Sequence, residues 1–243
     1  MKRWRAVTRA RLRRLYLATP LHRWLEPVSG LALHLTLLSR FQTWCEQHPS
    51  PSVIESHSSD RRHERRYELY RFVFEREKLD REPIDYLEFG VAGGTSLEWW
   101  VRRHTHPDSR FVGFDTFHGL PEAWHAGAPR GAFSTEGRVP DLSDPRCCFE
   151  VGLFQDRLPA FLKCTDLRRR LVIHMDADLY SSTLFVLMAL APVLKSGDLI
   201  LFDEFDDVRN EFRAFEDWQA AFPRRYELVA EVNHYMQVAL RVA

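Results

Sequence analysis

From residue 84 onward, short apolar runs recur along the chain, separated by longer mixed segments. The runs cover 84–89, 110–114, 147–152, 171–175 and 198–202. Helical patterns fill most of the gaps, so the alternation predicts βαβ units and a parallel sheet. The last stretch differs. "RYELVAEV" and "YMQVALRV" flank Asn233 and His234, which predicts two antiparallel strands joined by a tight turn. Upstream of residue 84 the pattern is helical. "RARLRRLYLATPLHRWL" places Leu, Tyr and Trp at helical spacing among arginines, and residues 1–50 read as helical throughout. "QHPSPS", 47–52, is a loop by its Pro and Ser content. "DRRHERRYELYRFVFERE", 60–77, carries an apolar stripe at Tyr67, Tyr70, Phe72 and Val73 and predicts a helix. The expected architecture is α/β: a doubly wound, mostly parallel seven-stranded sheet with an antiparallel C-terminal hairpin over 56–243. A basic helical extension over 1–55 precedes it. No internal repeat or low-complexity segment interrupts this plan.

Composition is that of a globular chain. Of 243 residues, 45% are hydrophobic and 13% aromatic, ample for a packed core. The formal net charge of zero argues against a nucleic-acid partner, which calls for a basic excess. Charge is unevenly placed. Residues 1–25 hold eight basic side chains (Lys2, Arg3, Arg5, Arg9, Arg11, Arg13, Arg14, Arg23) and no acid. Taking these 8 from the 34 basic residues leaves 26 against 34 acidic ones, so the rest of the chain carries −8. The arm reads as an amphipathic helix packed on its own domain or on a second subunit of a homodimer. Peripheral contact of 1–25 with an anionic membrane is the other reading. The apolar run 30–38 is interrupted by His34 and is too short to span a bilayer. The N-terminus is too basic for a signal peptide. Cys45, Cys147, Cys148 and Cys164 form no CxxC pair, and two of them are adjacent. They read as reduced thiols of a cytoplasmic protein.

In an open α/β sheet, ligands sit beyond the C-terminal strand ends. The first strand runs into "LEFGVAGGTS", with Glu88, Gly90, Gly93, Gly94, Thr95 and Ser96. The glycines suit a tight turn and close backbone approach of a ligand, and Thr95 or Ser96 is placed to cap the next helix. The spacing G-x-x-G-G breaks the dinucleotide fingerprint, and the acid at Glu88 suits an ammonium or a main-chain contact in the loop better than a pyrophosphate. A nicotinamide-dependent oxidoreductase is therefore disfavoured. The second strand ends at Asp115 and Thr116, where an acid accepts from both ribose hydroxyls; the other reading is that Asp115 caps a turn. After the third, Gln155 or Asp156 is placed to reach an adenine edge.

The fourth strand ends "HMDADLYSST" and the fifth "LILFDEFDD". Asp176 and Asp178 thus stand beside Asp203 and Glu204 if these strands are neighbours. Crowded carboxylates repel unless a counter-ion sits among them. Oxygen-only ligation favours Mg²⁺. The competing reading is a rim satisfied by helix N-termini and arginines, with Asp206, Asp207 and Arg209 close by. His118, Trp124, His125, Tyr180 and Phe205 are candidates for the acceptor pocket, although both histidines also read as solvated loop residues. Tyr180 also reads as a cap of the following helix. His174 reads as a satisfied core histidine, and one of Trp99 and Trp100 as packed on the sheet.

"YLEFGVAGGTS", "GFDTFHGLPE", "GLFQDRLPAF", "IHMDADLYSST" and "GDLILFDEF", in this order, resemble the macrocin O-methyltransferase (TylF) family over roughly residues 80–243. That family is a branch of the Rossmann-like class I S-adenosylmethionine-dependent methyltransferases. "DADLYSST" after a strand, with "FDE" one helix–strand unit later, carries most of the specificity. The resemblance implies Mg²⁺-dependent transfer of a methyl group to a hydroxyl of a sugar or related small molecule. It implies a methionine pocket shaped by Glu88, Gly90 and Gly93, a ribose contact at Asp115 and an adenine contact from Phe154, Gln155 and Asp156. It also implies a metal held by Asp176, Asp203 and Glu204. Asp178 is the candidate base, with Asp176 the alternative. Where the family often shows two aspartates in the second metal motif, this chain has Asp203-Glu204. The first 50 residues match nothing in the family. A second reading is a non-catalytic module that keeps the cofactor pocket as scaffold and docks through its basic arm.

Overall fold

The computed structural model describes residues 11–51 and 62–243. The first ten residues of the basic arm, the expected boundary at 55/56 and the first residues of the helix expected over 60–77 lie outside that range. Residues 11–18 are helical, and after a break at Thr19 and Pro20 helix α1 runs Leu21–Gln47. Its last turns dock on the body through Leu37, Phe41, Trp44 and His48, a 4-3-4 spacing that lines up one face of a helix. Trp44 stacks on His48 at 4.3 Å and meets the Phe205 ring edge-on at 4.9 Å.

Seven strands form one sheet. They are β1 Ile84–Phe89, β2 Arg110–Asp115, β3 Cys147–Val151, β4 Arg170–Met175, β5 Leu199–Phe202, β6 Tyr226–Val232 and β7 Gln237–Val242. Their order is β3-β2-β1-β4-β5-β7-β6, parallel except for β7, which runs antiparallel between β5 and β6. The expected strands all form, with edges shifted by one residue at most, except that the last strand starts two residues later than expected, at Gln237. The hairpin turn is longer than the two residues expected, because Asn233, His234 and Tyr235 all take positive φ.

Helices cover both faces. α2 (Arg66–Arg76) and α3 (Thr95–Arg103) pack with Tyr86, Val172 and Leu201 on one side. α4 (Phe154–Cys164), α5 (Tyr180–Leu190), α6 (Glu211–Ala221) and the end of α1 pack with Leu87, Ile173 and Phe202 on the other. The period of two along β1 decides where the site's groups point. Residues 84, 86 and 88 face α2 and α3, so Glu88 lies on the side of Tyr70 and Trp100, both buried. The chain order reverses between β1 and β4, and a cleft opens beyond their C-terminal ends. Among the described residues no helix is long and apolar enough to cross a membrane, and all four cysteines are free.

Candidate active site

A cavity of about 360 Å³ occupies this switch point. Its floor is the turn from β1 into α3. Gly90 sits at φ 94° against β4, where a Cβ would stand 1.8 Å from the Asp176 carbonyl oxygen, so only glycine lets the two strand ends approach. A Cβ at Gly93 would meet nothing within 4 Å, and the residue lines the cavity, leaving bare backbone for a ligand. Gly94, at φ 78°, is the N-cap of α3 and no side chain caps it, so neither Thr95 nor Ser96 takes the expected capping role. Both instead line the cavity.

Asp115 fixes this turn. Its Oδ2 accepts from Val91 N at 2.7 Å and Ala92 N at 2.8 Å, and its Oδ1 from Phe117 N at 2.7 Å. The acid expected to meet ribose is thus also the brace of the glycine turn. Thr116 lines the cavity beside it, donating to Gly119 O at 3.1 Å.

Behind the floor lies a buried hydrogen-bond chain. Tyr86 Oη donates to Glu88 Oε2 at 2.6 Å. It is then left to accept from His174 Nδ1 at 3.0 Å, so Nδ1 carries the hydrogen, which also faces Glu88 Oε2 at 3.3 Å. His174 Nε2 accepts from Tyr70 Oη at 2.9 Å, and Ser96 Oγ stands 3.5 Å from the same phenol. All five side chains are buried, as expected for His174 as a core histidine. Burial pushes Tyr70 and Tyr86 well above the ordinary phenol range, which keeps both as donors.

The rim beyond β4 and β5 is built differently. Oxygens of Asp176, Asp178 and Glu204 lie within 4.8 Å of one another, and those of Asp203 and Glu204 form a second such group with His63. Both carboxylate oxygens of Asp203, Oε2 of Glu204 and Oε1 of the adjoining Glu211 are buried without a hydrogen bond. Among the described residues, one arginine stands with them. Arg66, at the start of α2, reaches Asp176 Oδ2 at 3.3 Å and Asp203 Oδ2 at 3.1 Å. Burial would lower its pKa, but Asp203 and Asp176 outweigh burial and raise it. Burial and then Asp203 push Asp176 well above the carboxylate range. Burial, then Asp203 and Asp207, push Asp178 up to about 7. Burial and the neighbouring acids raise Glu204 and Glu211 in the same way. Asp178 also holds φ 58°, backbone strain of the kind that collects at functional sites.

The donor set fits a hard divalent cation. Every unpartnered rim atom is a carboxylate oxygen, and one arginine cannot balance five acids. Arginine as counter-ion was one of the two readings open from sequence. The residue is Arg66, however, not Arg209, whose guanidinium donates to Gly30 O at 2.8 Å.

Residues 116–146, between β2 and β3, fold over the cavity, which Leu120, Pro121, Trp124, Ala132 and Phe133 line. Trp124 Nε1 donates to Asp207 Oδ2 at 2.7 Å and Ser181 donates to Glu122, so the segment is tied to the rim. Trp124 is the acceptor-pocket candidate that lines the cavity. The others do not line it. His118 is exposed. His125 forms a local bridge with Ala128. Tyr180 donates to Asp217 at 2.9 Å under the Arg213 guanidinium, and its own N–H is capped by Asn210 Oδ1 at 3.0 Å. Phe205 is fully buried among Trp44, Phe212 and Phe215, because the chain after Glu204 turns into the core to receive α1. Of the residues expected to face adenine, Phe154 and Gln155 line the cavity, whereas Asp156 is exposed in the first turn of α4. Sequence reasoning missed Arg66, His63, Tyr70, Tyr86 and Phe133. Arg66 and Tyr70 are four apart on one helix, the one sequence signal that they share a face.

The model of the macrocin O-methyltransferase (TylF) family matches residues 62–229, so the family region begins at α2, ahead of the limit near residue 80 drawn from the motifs. A curated relative from Streptomyces olivaceus, 8-demethyl-8-(2,3-dimethoxy-alpha-L-rhamnosyl)-tetracenomycin-C 4'-O-methyltransferase, is 31% identical over 160 residues. That alignment spans 58% of this chain and 60% of the relative. The crystal structure of the calicheamicin methyltransferase CalS11 superposes with a TM-score of 0.59 at 24% identity, over 85% of this chain and 91% of its own. The O-methyltransferase NovP gives 0.59 at 24% identity, over 88% and 98%. At that identity the two structures speak for the Rossmann-like methyltransferase fold alone, and they share it with this chain. The family match covers well over half of the sequence, and this chain belongs to the macrocin O-methyltransferase (TylF) family.

Proposed function

We propose that this chain transfers the methyl group of S-adenosylmethionine to a sugar hydroxyl, with Mg²⁺ held on the acidic rim. The observation that carries the reading is the carboxylate cluster of Asp176, Asp178 and Glu204 lining a glycine-floored cavity, with carboxylate oxygens of Asp203 and Glu211 buried behind it without a hydrogen bond. When bound, S-adenosylmethionine supplies a methyl carbon on a cationic sulfur, and Mg²⁺ supplies a Lewis acid that lowers the pKa of an acceptor hydroxyl. Glu88 takes the cofactor's ammonium, Gly90, Gly93 and Ser96 give its methionine end a close backbone bed, Asp115 and Thr116 face the ribose, and Phe154 and Gln155 face the adenine. Asp176, Asp203 and Glu204 hold the cation.

Asp178, raised to about 7, sits near the proton affinity that suits a general base at neutral pH. It accepts the hydroxyl proton, and Asp176 is the alternative acceptor. The 116–146 segment keeps water from the reacting atoms and presents Trp124 and Phe133 to the acceptor. A vicinal diol suits two-oxygen chelation. The rhamnosyl group in the relative's name supports a deoxyhexose, and cytoplasmic placement fits the cofactor.

Calorimetric titration of S-adenosylmethionine with Mg²⁺, after EDTA, and against NAD⁺ tests the reading. Micromolar binding of S-adenosylmethionine without NAD⁺ binding is expected, followed by labelled methyl transfer to a rhamnoside. Absence of S-adenosylmethionine binding under both conditions sinks it.

A further inference from the structure

We infer that the projecting half of α1 is the dimerisation helix of this protein, pairing with the same helix of a second copy. The surface is separate from the cavity, and the inference does not rest on the proposed reaction. α1 packs on the body through its last turns, with one further hydrogen bond from Arg209 to Gly30 O. Before Leu37 its described side chains are exposed, save for the half-buried His34. That projecting half is not polar. Trp24, Val28, Leu31, Leu35 and Leu38 are exposed at 81%, 58%, 58%, 56% and 40%. A free helix of this length is marginal in water and gains its stability by burying such a face.

Three observations choose the occupant. The first is spacing. These five residues follow a 4-3-4-3 pattern, the 3.5-residue repeat of a helix seam that interlocks with another helix, and the same spacing reaches back to Leu21 in the sequence. The seam lies roughly a third of a turn around α1 from the docking face, so both can be filled at once. The second is charge. The two rows flanking the seam hold Leu, Ala and Ser on one side and Pro, His and Phe on the other. Two identical helices therefore meet without like-charge repulsion. A lipid-surface helix needs basic residues along its polar face, and none occurs between Arg23 and Arg40. The third is area. The five side chains offer on the order of 500 Å² per copy, so a pair reaches about 1,000 Å², where specific interfaces begin. Arg209 ties this half of the helix to the body by donating to Gly30 O at 2.8 Å, while the seam side chains stay exposed.

Light scattering on the full chain at micromolar concentration is expected to give twice 28.6 kDa. Leu31→Glu, at the seam's midpoint, should halve that mass. Leu33→Glu, on the opposite side of the helix, should leave the dimer intact. Circular dichroism checks that each variant folds, and Val28→Lys carries the same test if Leu31→Glu does not. A monomeric wild type overturns the proposal, and cosedimentation of that monomer with phosphatidylserine-containing vesicles would assign the seam to lipid. A dimer that survives both Leu31→Glu and Val28→Lys overturns it as well, since the interface then lies elsewhere.

Discussion

At the cavity end closed by Glu88, Tyr86, His174 and Tyr70, each polar side chain has a hydrogen-bond partner from the chain itself. At the rim a few ångströms away, four carboxylate oxygens on Asp203, Glu204 and Glu211 are buried with no hydrogen bond, and Arg66 is the cation among them. Both ends use buried charge, but they solve its cost in opposite ways. The Glu88 end is complete without a ligand, and under the proposed reaction only the cofactor's own charge is added to it. The rim is incomplete, and under the proposed reaction its unmet charge is what draws in a cation. The contrast is a statement about which part of the site the chain builds alone.

The sharpest way to break it is Asp176→Asn. Under the proposed reaction this variant should lower turnover by about 10³-fold or more while cofactor affinity, set at the other end, hardly moves. Steady-state kinetics with a parallel calorimetric titration separates the two. Equal losses in both would mean that the ends are one unit.

Arg66→Met comes next. It leaves Asp203, 1% exposed, with no positive partner among the described residues apart from His63 at 3.8 Å. In EDTA the variant should be destabilised by about 3 kcal/mol, the cost of stranding a buried charge. Saturating Mg²⁺ should recover most of that loss and stabilise the variant more than it stabilises the wild type, because no guanidinium competes for the carboxylates. Chemical denaturation of both proteins with and without Mg²⁺ reads the difference. An unchanged Mg²⁺ response would mean that Arg66 and the cation do not share the rim.

How legible these two ends were in the sequence follows from the same physics. The sheet was readable because strands of a parallel sheet are continuous apolar runs, and the acids at their ends break those runs abruptly. Asp176, Asp178, Asp203 and Glu204 could therefore be placed together from strand order alone. Arg66 could not. It is one of six arginines between residues 60 and 77, and only the docking angle of α2 selects it. The Glu88 network was invisible because Tyr70, Tyr86 and His174 look like ordinary core residues until three elements meet. Phe205 and Tyr180 were misplaced because adjacency to an acid in sequence says nothing of direction once the chain leaves a strand. Asp115 was placed correctly beside the cavity, and its backbone duty is the turn-capping alternative already open from sequence.

Titration sharpens the comparison further. Asp178 is raised to about 7 from an ordinary value of 3.8, so the folded metal-free protein holds its proton more tightly than the unfolded chain does. That contribution is fully present below about pH 4 and is lost as pH rises through 7, at most about 4 kcal/mol. Asp176, Glu204 and Glu211 are raised in the same direction. Melting temperature in EDTA should therefore fall between pH 5 and pH 8, and Mg²⁺ should reverse the fall at pH 8. Asp178→Asn should flatten the slope without abolishing it. A melting temperature constant across that range in EDTA would show that the rim is already neutralised.

The smallest effect tests the completed end. Tyr70→Phe keeps the ring that packs at 5.6 Å from Trp100 and removes only the donor to His174 Nε2. A buried ring nitrogen left without its partner costs about 1–3 kcal/mol of stability. His174 then loses one of the two bonds that fix its plane, and the loosening passes to Glu88 through Nδ1. Cofactor affinity should fall by about tenfold, roughly 1.4 kcal/mol, while Mg²⁺ affinity stays at the wild-type value. Tyr70 lies one turn beyond Arg66 on α2, so this outcome has a precise opposite. If Tyr70→Phe weakens Mg²⁺ as much as it weakens the cofactor, α2 moves as one lever and carries both ends together. If only the cofactor is weakened, the helix is a fixed support. Each end is then tuned by the one side chain it receives from α2: a neutral phenol where the chain finishes the network, and a displaceable guanidinium where it leaves room for a cation.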